Sequence, residues 1–213
     1  MVNNKSNKIS AFLSILCWFT VILQLILIII NRQASVFETI IRFFTFFTIL
    51  TNILVAMVFT ANWLKSKNSF QFFNKPNTQV AIAVYIFVVG FVYNTILRFI
   101  WQPKGWDKLA DELLHLVIPI VYILFWYFKF SKKEINYRSI FSWLLFPMIY
   151  IVVVMIRGYF SGYFSGYYPY PFLHVGNLGV EKVVYNSILM TLFFVVVSFV
   201  FYQINNQKVS KIK

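Results

Sequence analysis

The chain has 213 residues, of which 60% are hydrophobic and 26 are Phe, and it carries a formal net charge of +13. A soluble domain of this length could not expose so many apolar side chains to water. The composition therefore excludes a soluble protein and indicates an integral membrane protein. The single cysteine, Cys17, excludes a disulfide framework and a cysteine zinc site.

Six apolar stretches are long enough for a spanning helix of about 20 residues. The first follows Lys5 and Lys8, as in a signal peptide. It is longer than a signal-peptide core and no A-x-A cleavage site follows it, so we interpret it as the first helix. The sequence therefore predicts an all-α fold, a six-helix transmembrane bundle in which residues 1–213 form a single membrane domain. The predicted spans are residues 9–30, 40–63, 79–100, 109–128, 139–156 and 180–202.

The basic residues are distributed unequally between the two ends of the predicted spans. Of the 19 Lys and Arg residues, twelve fall at the two termini and in the second and fourth loops, and seven fall on the other face. Short cytoplasmic loops carry an excess of Lys and Arg, so we expect a multi-pass protein of the cell membrane with both termini cytoplasmic. Since these charges are explained by orientation, we do not expect a nucleic-acid partner.

The second predicted span carries a stripe of polar side chains. Thr45, Thr48 and Thr51 recur every three residues, and Asn52 follows Thr48 by four, which places them along one face of a Phe-rich helix. A threonine inside a membrane usually bonds a carbonyl of its own helix. To act as a nucleophile it needs a neighbouring base, most often a histidine.

The fourth predicted span supplies such a histidine. Asp111, Glu112 and His115 occupy one helix face, and Pro119 follows one turn later. Ionisable groups inside a span are costly, so this group indicates a functional site lined by protein or water. Proline lacks the amide that would bond the carbonyl four residues earlier, which here is that of His115. The sequence thus predicts a histidine beside a free backbone acceptor.

Polar residues of several spans share one depth. Gln24, Asn94, His115 and Asn186 each lie six residues from the outer end of their span, close to the level of the second-span threonines. A rise of about 1.5 Å per residue puts them roughly 8 to 12 Å below the outer boundary. Two interpretations stay open, a shared polar site and hydrogen bonds that only hold the helices together.

The loop after the fifth span contains three glycine-led aromatic tetrads, which begin at Gly158, Gly162 and Gly166, and Tyr170 follows them. One interpretation is an aromatic belt at the level of the lipid headgroups. The other is a lid, in which the glycines permit tight turns and the rings cover a lipid-like ligand.

Three short motifs occur in a recognisable order. They are Phe-Thr-Ile-Leu-Thr-Asn at 47–52, Leu-His-x-x-x-Pro at 114–119 and Tyr-Pro-Phe-Leu at 170–173. In this order, and over nearly its whole length, the chain resembles the androgen-induced, FAR-type membrane proteins and their bacterial six-helix relatives. The animal members hydrolyse fatty acid esters of hydroxy fatty acids with an intramembrane threonine and a histidine. The resemblance implies that His115 is the base and that Thr48 or, in another register, Thr45 is the nucleophile.

The leading hypothesis is therefore a threonine-dependent hydrolase whose substrate is a membrane lipid or lipid-like ester. Asp111 or Glu112 is expected to orient the imidazole, and no cofactor or metal is expected. Residues expected to bind substrate or to donate to the oxyanion are Asn52, Asn94, Asn186 and Tyr170. A small-molecule carrier or channel and a non-catalytic membrane scaffold remain as alternatives.

Overall fold

The structure is a computed structural model that describes residues 4–64, 69–162 and 166–210, the side chains of residues 4–6 and 69 excepted. In this part of the chain all regular structure is helical, without a β-strand. Six of its helices are long and apolar enough to cross a membrane, which indicates a multi-pass membrane protein. The predicted all-α fold with six spans is therefore confirmed.

The orientation of the chain stays a prediction. It rests partly on Lys65, Lys67, Lys211 and Lys213, which lie outside the described residues.

The α-helices are numbered in chain order, and short 3₁₀ turns at Ser69–Asn74, Leu97–Phe99 and Pro171–Leu173 lie between some of them. The helices are α1 Asn4–Ile30, α2 Val36–Phe44, α3 Phe47–Leu64, α4 Pro76–Thr95, α5 Gly105–Glu112, α6 Ile118–Phe128, α7 Ser139–Phe160, α8 Val175–Leu178 and α9 Val180–Ser210. A π-helical turn, Leu113–Val117, joins α5 to α6 without interrupting the span.

The second predicted span is two helices rather than one. We expected a single helix over residues 40–63, but α2 ends at Phe44 and α3 begins at Phe47. Helix α2 is a separate amphipathic element. Ser35 caps its start, and a salt bridge of 2.7 Å from Arg42 to Glu38 stabilises it. The N–H of Thr45 turns back to the carbonyls of Arg42 and Phe43, and this tight turn ends the helix. The break places Thr48 in the first turn of α3.

The π-helical turn follows from Pro119. Proline cannot donate to the carbonyl of His115, and its ring crowds that carbonyl, so the helix widens there. Accordingly, the N–H of Ile118 bonds the carbonyl of Leu113, five residues earlier instead of four. The carbonyl of His115 accepts instead from Asn94 Nδ2 at 3.0 Å. The free backbone acceptor expected at His115 is thus used by a side chain from another span.

The chain divides into two compact units, residues 1–134 with 205–213 and residues 135–204. The prediction of one membrane domain over residues 1–213 stays a prediction.

In the first unit, α1 packs along α3 through small and hydroxyl-bearing residues. Ser14 Oγ lies 2.7 Å from Thr60 Oγ1, and Asn62 Nδ2 donates to Ser10 Oγ at 2.6 Å. Ala56 of α3 is completely buried. Small side chains and interhelical hydrogen bonds are the usual means of holding membrane helices together, because apolar burial alone gains little in lipid. This packing holds α3, and with it Thr48, in a fixed position.

In the second unit, glycines of the aromatic repeat allow close packing. A Cβ atom added at Gly158 would lie 2.1 Å from Tyr168 Cε1, and one added at Gly166 would lie 2.4 Å from the carbonyl oxygen of Gly158. Any larger residue at either position must displace its neighbour. The middle of the repeat, residues 163–165, lies outside the described residues.

Candidate functional site

The structure brings together two of the three predicted catalytic side chains. Thr48 Oγ1 lies 3.3 Å from His115 Nε2, across the interface between α3 and the π-helical turn. Thr48 is only 7% exposed, so the hydroxyl is largely shielded from solvent. A contact of this length is a loose hydrogen bond, and such contacts commonly shorten when a substrate binds. The pair has the geometry that proton transfer from a nucleophile to a base requires.

Thr45, the other candidate nucleophile, has a different environment. Its Oγ1 donates to the carbonyl of Arg42 at 2.6 Å, within the turn that ends α2. This is the bond that a threonine near a helix terminus ordinarily makes. Because that short bond uses the hydroxyl proton, the geometry favours Thr48 over Thr45 as the partner of the histidine.

The second nitrogen of the imidazole is held by Asp111. His115 Nδ1 lies 2.9 Å from the backbone oxygen of Asp111 and 3.1 Å from its Oδ1. Both are acceptors, so Nδ1 carries the proton in the neutral ring and Nε2 is left with the lone pair that faces Thr48. The protonation is inferred from the hydrogen bonds. Asp111 thus selects the tautomer that can accept a proton from Thr48.

Glu112 does not contact the imidazole. It makes a two-pronged salt bridge with Arg98, with contacts of 2.8 Å and 2.7 Å, and both side chains are partly exposed. Of the two carboxylates that we expected to orient His115, only Asp111 lies against the ring. Adjacent helix residues point about 100° apart, so the Asp111 carboxylate faces His115 and α4 while that of Glu112 meets Arg98.

Tyr93 also belongs to the site, although the sequence did not predict it. Its hydroxyl donates to Asp111 Oδ2, and its ring stacks on the His115 imidazole with centroids 3.9 Å apart and an interplanar angle of 14°. The only signal in the sequence is its position beside Asn94 in α4. With 13 tyrosines in the chain, many near span ends, that position alone carries little information.

Gly90 allows α4 to approach the π-helical turn closely. A Cβ atom there would lie 3.1 Å from Pro119 Cβ and 3.3 Å from the backbone oxygen of His115. These distances are tighter than ordinary van der Waals contact, so even alanine would separate the helices slightly. The close approach lets Tyr93 and Asn94, one turn later, reach His115.

Asn52 and Asn94 bond the backbone. Asn52 Nδ2 donates to the carbonyls of Thr48 at 2.8 Å and Leu114 at 3.3 Å, and so ties α3 to the π-helical turn. Asn94 Nδ2 donates to the carbonyls of Gly90 at 2.7 Å and His115 at 3.0 Å. An amide has two N–H groups and both are used in each residue. A role for these amides as oxyanion donors would require one of these bonds to break, and it stays a prediction.

Asn186 and Tyr170 belong to the second unit. Asn186 Nδ2 donates to the carbonyl of Phe172 at 2.9 Å. The Tyr170 ring lies parallel to that of Phe172, with centroids 5.2 Å apart. Both residues thus hold the 170–173 motif in shape, and a lid or substrate-binding role for them stays a prediction.

Comparison of the chain with protein-family models, with curated proteins and with solved structures gave no match. The resemblance to the androgen-induced membrane proteins, and the activity it implies, therefore stay predictions.

Proposed function

We propose that the protein is an intramembrane hydrolase of fatty-acyl esters that uses Thr48 as nucleophile and His115 as general base, in the cell membrane with both termini cytoplasmic. The observation that supports the proposal best is the chain of contacts from Thr48 Oγ1 to His115 Nε2 and from His115 Nδ1 to Asp111. A nucleophile, a base and a group that orients the base are the components of the hydrolase triads found on unrelated folds.

The reaction follows the usual course of acyl transfer. Thr48 Oγ1 attacks the ester carbonyl carbon while its proton passes to His115 Nε2. The resulting imidazolium is stabilised by the Asp111 carboxylate, and it then protonates the alcohol as the bond between carbonyl carbon and alcohol oxygen breaks. Water, deprotonated by His115, then attacks the acyl carbon; the bond from that carbon to Thr48 Oγ1 breaks, His115 returns the proton to Oγ1, and the fatty acid leaves. No redox step and no further reactant are involved.

The position of Thr48 at the start of α3 favours this chemistry. The backbone N–H groups of a first helical turn point outwards and carry partial positive charge, so they stabilise negative charge nearby. An oxyanion that develops beside Thr48 would lie at this terminus. The start of α3 therefore contributes partial positive charge beside Thr48, while the N–H groups of Ile49 and Leu50 already donate to the carbonyl of Phe46 at 3.0 and 3.2 Å.

The surroundings of the site suit an apolar substrate. Leu116 and Val117, which directly follow His115, are both exposed on the surface of the span. In a membrane such a surface is in contact with acyl chains, so the span that carries His115 presents an apolar face to the bilayer, and the His115 side chain is itself 13% exposed. This supports a lipid-ester substrate over a water-soluble one.

A non-catalytic scaffold is the second candidate, and the bonding of the asparagines favours it. Asn52 and Asn94 tie three helical segments together through carbonyls, as residues that only stabilise a bundle do. A scaffold would treat the contact between Thr48 and His115 as one more interhelical bond, but it does not require Asp111 to hold the other nitrogen of the imidazole, which is why we prefer the hydrolase.

The test is hydrolysis of a fatty-acyl ester by the purified protein in detergent. Thr48→Val removes the hydroxyl and keeps the side-chain shape, so we expect activity to fall at least about 10³-fold. Thr51→Val is the matched control, because Thr51 is also buried on the same helix and its Oγ1 has no partner among the described residues. Equal activity in the two variants, with both proteins folded, would refute the proposal.

A further inference from the structure

Two lysines converge on the end of α6, away from the candidate active site. Lys132 Nζ donates to the carbonyl of Trp126 and lies 4.0 Å from the centre of the Trp126 ring. Lys208 Nζ donates to the carbonyl of Tyr127 and lies 3.6 Å from the centre of the Tyr127 ring. The two carbonyls are consecutive, so both ammonium groups are held at one helix terminus.

The two segments that carry these lysines are also joined by a hydrogen bond. Asn205, which is completely buried near the end of α9, donates through Nδ2 to the carbonyl of Lys133 at 2.9 Å. This bond ties the last turns of α9, which carry Lys208, to the segment that carries Lys132. The two lysines therefore meet because of the fold, although they lie far apart in the sequence.

The two cations have no carboxylate partner in the described part of the chain. The described salt bridges involve Arg42, Arg98 and His115, and the contacts of Lys132 and Lys208 are to carbonyls and aromatic rings only. Burial and the nearby ammonium of Lys208 lower the pKa of Lys132 to about 7. Helix carbonyls carry only partial negative charge, so they compensate the two positive charges incompletely.

We propose that Lys132 and Lys208 together bind a phosphate group, and that it is the headgroup phosphate of an anionic phospholipid. Each ammonium has three N–H donors and uses one on a carbonyl, which leaves two for phosphate oxygens. One phosphate placed between the two cations would relieve their repulsion. Basic sites at the ends of spanning helices bind anionic lipid headgroups in this way.

The aromatic residues beside the lysines indicate a lipid rather than a soluble phosphate. Tyr127 occupies the last turn of a spanning helix and is 39% exposed, at the level where phenol rings meet the headgroup region, whereas the Trp126 indole beside it is buried against Lys132. Phe128, next to them, is 67% exposed and offers an apolar surface to an acyl chain. Exposed Lys129 and Lys133 add positive charge around the pair.

The test is native mass spectrometry of the full-length protein in detergent with added phosphatidylglycerol or phosphatidylcholine. We expect selective retention of phosphatidylglycerol, weakened about fivefold by Lys132→Gln or Lys208→Gln and about thirtyfold by both. Lys108→Gln, on α5, removes the same charge from an exposed lysine and is expected to leave the retention unchanged. Competition by inorganic phosphate at millimolar concentration would retain the phosphate site but assign it to a soluble ligand.

Equal retention of both lipids by the native protein, or unchanged phosphatidylglycerol retention in the double variant, would overturn the proposal and leave the lysines as caps of α6. Lys208→Arg keeps the charge and guards against loss through misfolding. It should retain phosphatidylglycerol better than Lys208→Gln, whereas an equal loss would contradict a site based on charge.

Discussion

The two histidines of the chain show how differently the same side chain is used in its two units. In the second unit, His174 Nδ1 accepts from the N–H of Asn177 at 3.3 Å and caps α8, and its ring lies beside Tyr168. In the first unit, His115 bonds Asp111, four residues earlier, through Nδ1 and faces the Thr48 hydroxyl through Nε2. The first is a capping residue, and the second has the contacts of a general base. What distinguishes them is the partner of each nitrogen.

The largest effect should follow from removing the base. We expect His115→Ala to lower hydrolysis of a fatty-acyl ester at least about 10³-fold, the loss also expected for Thr48→Val, because both variants disable the same proton transfer. The double variant should be no worse than either single one. Losses that multiply in the double variant would show that the two residues act separately. Initial rates at saturating ester are the measurement.

Asp111→Asn should have the next largest effect. The amide keeps the shape of the side chain but can present N–H to His115 Nδ1, which favours the tautomer with the proton on Nε2. Activity is expected to fall by between about 10² and 10⁴-fold. Glu112→Gln is the control, because Glu112 pairs with Arg98 instead of the imidazole. Similar losses in both variants would mean that general negative charge, rather than the contact with His115, matters.

Tyr93→Phe should have a smaller effect. It keeps the ring that stacks on His115 and removes the hydroxyl that donates to Asp111. Loss of a hydrogen bond to a charged group costs about 1.5 kcal/mol or more, so we expect about a tenfold fall in activity and an altered dependence of the rate on pH. Tyr85→Phe, on the same helix, serves as control. An unchanged pH profile would leave Tyr93 with a packing role only.

The smallest effect on activity should come from the second histidine. His174→Ala removes the cap of α8 and is expected to lower the free energy of unfolding by about 1 kcal/mol without changing the hydrolysis rate per folded protein. Thermal unfolding in detergent measures the first quantity. A loss of activity as large as that expected for His115→Ala would contradict the assignment of His174 as a capping residue only.

The spans were predictable because twenty apolar residues in a row have few alternatives, and the approach of Thr48 to His115 was suggested by their shared depth. The break between α2 and α3 was not predictable. It falls in the Phe-rich run 43–47, which contains neither Gly nor Pro, and it depends on the cap at Ser35 and on how Thr45 turns back.

The hydrogen-bond partners of the Asn52 and Asn94 side chains were also not predictable from the sequence. Pro119 indicates that the His115 carbonyl is free, but only the packing of α4 at Gly90 determines that Asn94 reaches it. The position of Tyr93 follows from the same close approach. Long apolar runs are local features that a sequence displays, whereas a choice among several possible hydrogen-bond partners is made by tertiary packing.

Mass-spectrometric mapping of the residue that a fluorophosphonate probe modifies would identify the nucleophile itself. The probe reacts with an activated hydroxyl, so we predict a single adduct on Thr48 in the native protein and no adduct in Thr48→Val or His115→Ala. The adduct should persist in Thr51→Val and His174→Ala. An adduct on Thr45 or another residue, or no adduct on a folded protein that hydrolyses the ester, would contradict Thr48 as the nucleophile.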